Sequence, residues 1–499
     1  MKKILIYIFI IAVFCYPSLS FAQSDVETII QNSIAMGKAY RLSLEDVSRL
    51  ALENNFDIQL ARYDAKIAKT RNKDTRSIYD TVLTAEAKYH KDKSASSSTL
   101  AAGKTIDNDY SVGISKKLPT GTTISIDQVN NRRWTESTAV IRNPAYDSSL
   151  GVTVQQDLGK NFFGIQDRGS VKITQIDVYN SEYTSLGKIE QSLADTQIAY
   201  WDLALASRLL KAEQEMLVQA ERLYLINKEK LTDGLVEQPD FLASEANYKQ
   251  RASNVLVAKN TVKTKMNVLK LKLNLTQNMS DIFPSGNLML KEQGSRIQAS
   301  LINAFEHRRD YKKALNDVLM RNIKLSMKRN NAWPEINVKA SLSRNGLGDD
   351  FNESIKNISK ENHPDFSASI SLNVSLENSS AKAQLKKLEL EKAQAIISLK
   401  MTERTIMIDV VDQVRLCNTF LEKAKQEKEV AELQAKKLEE QQKIFSYGRS
   451  DVDTIVRYQK DALLAEQQAA QALFDYKKAL INLEVKEGIL LNQYWQEGI

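Results

Sequence analysis

Along FSASISLNVSLE, residues 366–377, apolar and polar side chains alternate without a break. Phe366, Ala368, Ile370, Leu372, Val374 and Leu376 fall on one face, and serines, Asn373 and Glu377 on the other. A period of two predicts a strand with one dry face. EINVKASLSR (335–344), TVLTAEAKYH (81–90) and SSLGVTVQQDL (148–158) follow the same rule. About ten residues suit a tilted strand crossing a thin membrane. No other segment offers an apolar layer to cover these faces, so lipid or an oligomeric barrel is the expected cover. Residues 109–129, DYSVGISKKLPTGTTISIDQV, predict a hairpin turned at Leu118–Gly121. Seven of the 17 glycines fall between Gly103 and Gly169. That loop-rich character places the hairpin at or beyond the outer face of the membrane.

Elsewhere the period lengthens to three and four. Leu205, Leu209, Ala212, Met216, Ala220 and Leu223 carry it in one stretch, and Ile406, Val410, Val414, Cys417, Leu421 and Ala424 in another. This spacing predicts coiled-coil helices. Neither 164–232 nor 379–446 contains a proline, so each reads as one helix of about 100 Å at 1.5 Å per residue. Return helices are expected over 240–274 and 452–488. Residues 50–80 resemble 304–335, with Glu53 matching Glu306 and Asp57 matching Asp310. The order helix, strands, long helix, tip, return helix thus occurs twice. A first copy over 23–290 holds its strands within 81–158, and a second over 291–499 holds strands 335–344 and 366–377.

The N-terminus supplies the compartment. Lys2 and Lys3, an apolar stretch from Ile4 to Cys15, and Ser20-Phe21-Ala22 predict a signal peptide over 1–22. Phe14 before Cys15 argues against lipidation there. One cysteine, Cys417, then remains, so no disulfide forms within a chain, and the helical period assigns it a core position. No apolar run is long enough for a membrane helix. The net charge of +7 is spread over mixed-sign helix faces, with no basic stripe to bind nucleic acid. His90, His307 and His363 lack metal-ligand spacing, and no nucleotide loop or nucleophile motif is present, so neither enzyme, metal site nor cofactor is expected.

Both long helices stop at similar words, DGLVEQPD (233–240) and YGRSDVD (447–453). Gly234 and Gly448 suit left-handed helix ends, and Pro239 suits a helix start. Asp240 and Asp451 suit the first turn or cap of the returning helix. In a symmetric oligomer each tip residue would also become a ring. Asp451 and Asp453 would then concentrate negative potential at a narrow mouth. Tyr447 and Arg449 would be able to hold Asp240 of a neighbouring hairpin.

The signal peptide, doubled order, long helices and few strands resemble the TolC-type outer-membrane factor family over residues 42–490. DGLVEQPDFL and YGRSDVDTI resemble its two helical tips, and LPTGTTISI and NPAYDSSLGVTVQQDL resemble segments of one branch. The second tip differs in spacing: Asp453 follows Gly448 by five residues, whereas Asp240 follows Gly234 by six. The resemblance implies a mainly α protein with a membrane β-barrel. Specifically, it implies a homotrimer with four strands per protomer in a twelve-stranded barrel in outer-membrane lipid. Below it lies a helical tunnel through the periplasm, docking on a periplasmic adaptor and an ATP-driven (ABC) or proton-driven inner-membrane transporter. It implies a gate at Asp240, Tyr447, Arg449, Asp451 and Asp453, and efflux or type I secretion rather than catalysis. A periplasmic adaptor or coiled-coil scaffold is the alternative; it shares the hairpins but lacks paired strands of membrane length.

Overall fold

The computed structural model describes residues 40–94, 103–137, 140–275, 281–285, 294–360 and 363–494, so the signal-peptide expectation lies outside the described residues. A short strand β1 (Tyr40–Leu42) precedes α1 (Leu44–Asn54) and α2 (Phe56–Arg76). Ser43 and Asp46 form a reciprocal capping box at the start of α1. Where one helix is expected the chain bends at Asn55, whose side chain accepts from the amides of Asp57 (2.8 Å) and Ile58 (3.2 Å). Strands β2 (Thr81–Asp92), β3 (Thr105–Lys117), β4 (Thr122–Thr135) and β5 (Ala145–Asp157) follow. Then come α3 (Ile165–Thr232) and α4 (Gln238–Lys272).

Short β6 (Ile282–Pro284) pairs in parallel with β1. Helices α5 (Ile297–His307) and α6 (Arg309–Asn331) meet at Arg308, whose backbone (φ −61, ψ 126) matches that of Asn55 (φ −64, ψ 126). Strand β7 (Glu335–Gly348), helix α7 (Phe351–Lys360) and strand β8 (Pro364–Asn373) lead to α8 (Ser379–Ser446) and α9 (Val452–Glu487). Helices α3 and α8 are each 68 residues long. Both begin after a left-handed residue, Gly164 (φ 69) and Asn378 (φ 46). All six apolar residues singled out in α8 are buried, Cys417 among them. Its thiol bonds the Ala479 carbonyl, and burial pushes it up to about 11, so it stays protonated at neutral pH.

The helices pack as paired hairpins. A core under α1, α3, α4 and α9 gathers Ile189, Leu193, Tyr200, Trp201, Leu269 and Phe474. Charged bridges tie the helices to one another, within and between the two halves of the chain. Arg309 donates to Glu190, Arg208 to Glu466 (2.6 Å), and Lys265 (3.0 Å) and Lys478 to Asp202. Burial pushes the Asp202 carboxyl up, but its bonds from the two lysines outweigh this and hold it below the usual value.

The long strands form one antiparallel sheet in the order β2-β3-β4-β5-β7-β8. This corrects two expectations. The sheet has six strands per protomer rather than four, because the 109–129 hairpin inserts between β2 and β5. Its turn also lies at the helical end of the sheet, not the outer end. Gly121 (φ 74) packs on the Gly164 backbone, and Lys117 pairs with Asp167 of α3 at 2.7 Å. The last strand ends at Asn373, leaving Val374 and Leu376 outside it, because Asn378 must already turn the chain into α8.

One face of this sheet carries an apolar belt. A single cross-strand row runs Leu83, Ile114, Ile126, Val152, Leu342, Phe366. All six are exposed, from 42 % at Val152 to 69 % at Phe366, so the described residues leave this row open. The opposite row reads Val82, Ser115, Ser125, Thr153, Ser341, Ser367. Below the sheet stand Phe162, Phe163 and Trp333, and near its other end stand Tyr110, Tyr146 and Phe351, as two aromatic girdles would.

Candidate functional site

The two tips close in the same way. Leu235 N–H bonds Lys230 O (2.8 Å) and Gly234 N–H bonds Leu231 O (3.1 Å). Arg449 N–H bonds Ile444 O (3.2 Å) and Gly448 N–H bonds Phe445 O (3.0 Å). This crossed pair satisfies the last helical carbonyls and requires a left-handed residue between. Gly234 (φ 74) and Gly448 (φ 72) provide it, and a Cβ at either would meet no atom within 4 Å. Backbone conformation, not crowding, therefore explains both glycines.

The returns differ. Pro239 occupies the second position of α4, where an amide has no helical partner to lose, and Asp240 follows in the first turn. Asp451 is the N-cap of α9: its carboxylate accepts from Thr454 N–H (2.6 Å) and Thr454 Oγ1 (3.0 Å). Those bonds hold the Asp451 carboxyl below the usual carboxylate range. Asp453 lies in the first turn of α9 and is exposed.

An apolar knot of Leu223, Val452 and Ile455, with Ala243, Phe445 and Val456 against it, holds the two hairpins side by side. Tyr224 stacks on Tyr248 (5.4 Å), Lys230 Nζ lies over the Phe445 ring (5.3 Å), and Asn247 donates to Gln459 (3.2 Å). Beyond the knot Tyr447 is 78 % exposed. Among the described residues, the side chains of Asp240, Tyr447, Arg449 and Asp453 take no hydrogen-bond or ion-pair partner within the protomer. The protomer thus brings the expected residues to one end of the molecule and does not pair Asp240 with Arg449.

Sequence reasoning missed helix α7. Asp350 caps it by accepting from Glu353 N–H (2.8 Å), and the Glu353 carboxylate accepts from Asp349 N–H (2.7 Å). The signal was present as D-F-N-E, with Phe351, Ile355 and Ile358 at helical spacing. The helix lies on the apolar side of the sheet near its outer end. Ser354 bonds Ser148 (2.7 Å), and the helix backbone presses on Gly346 and Gly348, where a Cβ would sit 2.3 and 2.5 Å from it.

No family model matches the chain, and no match to it is found among curated protein sequences. Solved structures are. The CmeC outer-membrane channel of Campylobacter jejuni is 16% identical with a TM-score of 0.63, over 89% of this chain and 85% of that one. The MtrE outer-membrane channel of Neisseria gonorrhoeae, in its open state, is 16% identical with a TM-score of 0.65, over 89% and 88%. The outer-membrane protein VceC of Vibrio cholerae is 12% identical with a TM-score of 0.64, over 89% and 96%. With its paired hairpins, long antiparallel sheet and twin helical tips, the chain has the fold of the TolC-type outer-membrane channels.

Proposed function

We propose that this protein is an outer-membrane channel-tunnel: three copies close a barrel through the outer membrane and extend their helices across the periplasm. The carrying observation is the apolar row from Leu83 to Phe366, exposed on every strand of a sheet whose opposite face is polar. Exposed apolar surface of this extent needs a cover, and a membrane supplies it. Among the described residues the sheet's edges, β2 and β8, have no further strand beside them, and they run antiparallel to each other. Pairing β2 of one copy with β8 of the next removes every edge, which lipid demands. A periplasmic adaptor has no need of such a sheet.

The doubled hairpins support a duplicated chain, with the first copy over 23–290 and the second over 291–499. The tips, at the far end from the sheet, form the periplasmic aperture. In the trimer Arg449 and Tyr447 latch Asp240 of a neighbouring hairpin, while Asp451 and Asp453 ring the opening. Each such exposed link contributes about 1 kcal/mol or less. A docking adaptor and an inner-membrane transporter, ATP-driven or proton-driven, would release them and pass cargo for efflux or type I secretion. The protein itself performs no chemistry. Membrane fractionation with electrophoresis of unheated samples tests the reading. An SDS-resistant trimer in the outer membrane that conducts in planar bilayers is expected. A soluble periplasmic monomer would exclude it.

A further inference from the structure

We infer that the β3–β4 hairpin is barrel wall, so that three protomers of six strands build an eighteen-stranded barrel rather than a twelve-stranded one. This rests on the trimeric reading above and adds the size class that the outer mouth admits.

Three observations carry it. First, pairing is continuous on both sides of the hairpin, from Thr81↔Lys116 to Asp92↔Thr105 and from Thr122↔Gln156 to Arg133↔Ala145. A hairpin folded over the mouth would leave β2 and β5 free to meet; here they do not touch as strands. Second, its turn is anchored at the helical end. Thr122 bonds Gln156 (2.5 Å), and Asp157 N–H reaches Gly121 O (3.4 Å). The hairpin therefore spans the full height of the sheet.

Third, the apolar belt drifts across the register as strand tilt requires. From the shared row, apolar positions in β8 run toward the helices, Phe366 to Leu372. In β2 they run the other way, Leu83 to Tyr89. The middle of the belt thus shifts by about six residues, or ~20 Å, across five strand gaps of ~4.8 Å each. That corresponds to a tilt of about 40°, within the range of membrane barrels. The belt stays level in the membrane only if all six strands, hairpin included, share one wall.

At that tilt and spacing an eighteen-stranded wall is ~36 Å across between backbones, against ~24 Å for twelve strands. The inward row Thr84, Gly113, Asp127, Gly151, Ser343, Asp365 carries short side chains. Allowing ~4 Å per side leaves a bore of ~28 Å instead of ~16 Å. Helix α7 packs on the outward face and takes nothing from the bore. The outer mouth then admits peptide-sized and larger cargo, and the tips alone set the size limit.

Single cysteines at 114, 115, 125 and 126 test this in the full-length protein in native membranes. Ile114→Cys and Ile126→Cys should react only with a lipid-soluble maleimide. Ser115→Cys and Ser125→Cys should react with a membrane-impermeant one. Ser369→Cys and Ile370→Cys in β8 serve as controls for the wall itself. Alternation in β8 with uniform aqueous labelling at 114, 115, 125 and 126 would overturn the inference and leave the channel reading standing. Loss of alternation in β8 as well would overturn both. Polyethylene glycols of graded size, added from the outer side of a planar bilayer, give a second measurement: entry is expected up to a radius of ~14 Å, and a cut-off near ~8 Å counts against the wider wall.

Discussion

Val152 offers the sharpest mutational test of which face meets lipid. It sits at the middle of the apolar run Leu150–Val154 of β5, between Ile126 and Leu342. Among the described residues it stands 42 % exposed. An arginine at mid-depth on the outer face of a membrane barrel costs about 2–4 kcal/mol. Threefold symmetry repeats that cost, so Val152→Arg should cost the trimer about 6–12 kcal/mol. The next residue, Thr153, faces the other way between Ser125 and Ser341, and Thr153→Arg would point into water. The assay is the yield of heat-modifiable, SDS-resistant trimer in urea-washed outer membranes. Val152→Arg should lose most of it, and Thr153→Arg should assemble like wild type. Equal yields, or loss confined to Thr153→Arg, would refute the orientation of the sheet.

Other expectations concern the helices and tips. Arg449→Ala and Asp240→Ala should each raise single-channel conductance, and unchanged conductance in both removes the latch. Glu190 is buried and Arg309, against it, is largely so, so Glu190→Gln strands a mostly buried guanidinium and should cost about 3 kcal/mol, read as a lower urea midpoint. An unchanged midpoint would show that Arg309 finds another partner. Because bonds from Thr454 hold the folded Asp451 carboxyl below its ordinary value, the cap is at full strength above about pH 4 and is lost as pH falls through the lower folded value. Amide exchange at Val452–Val456 should therefore be equally protected at neutral and mildly acidic pH, after correction for intrinsic rates. Weakening in mild acid would contradict the cap.

Much of the fold was legible because its signals are local. Two proline-free stretches with coiled-coil spacing are the two 68-residue helices, and Gly234 and Gly448 mark their ends. What escaped depends on partners far along the chain. Strand β3 carries Asp107 and Asp109, whose charges obscure its pattern until pairing turns both to the polar face of the sheet, with Asp107 bonded to Arg133. The turn after Lys116 and Lys117 reads as an outer loop, and only its contacts with Gly164 and Asp167 put it at the helical end. The bends at Asn55 and Arg308 interrupt patterns that are otherwise continuous, and an asparagine cap inside a helical run was the one local clue. At the tips the sequence names the residues, but among the described residues the side chains of Asp240 and Arg449 find no partner.

Closure of the sheet between copies is the central claim, and disulfide cross-linking along its two edges measures it directly. Paired cysteines would be scanned along outward-facing positions of β2, from Leu83 to Tyr89, and of β8, from Phe366 to Leu372. The two edges lie five strands apart within one protomer, so a bond between them must join different copies. At the correct register, oxidation should yield covalent trimers that survive boiling without reductant, with efficiency falling away on either side. A scan that gives only monomers at every register would contradict the closed trimer.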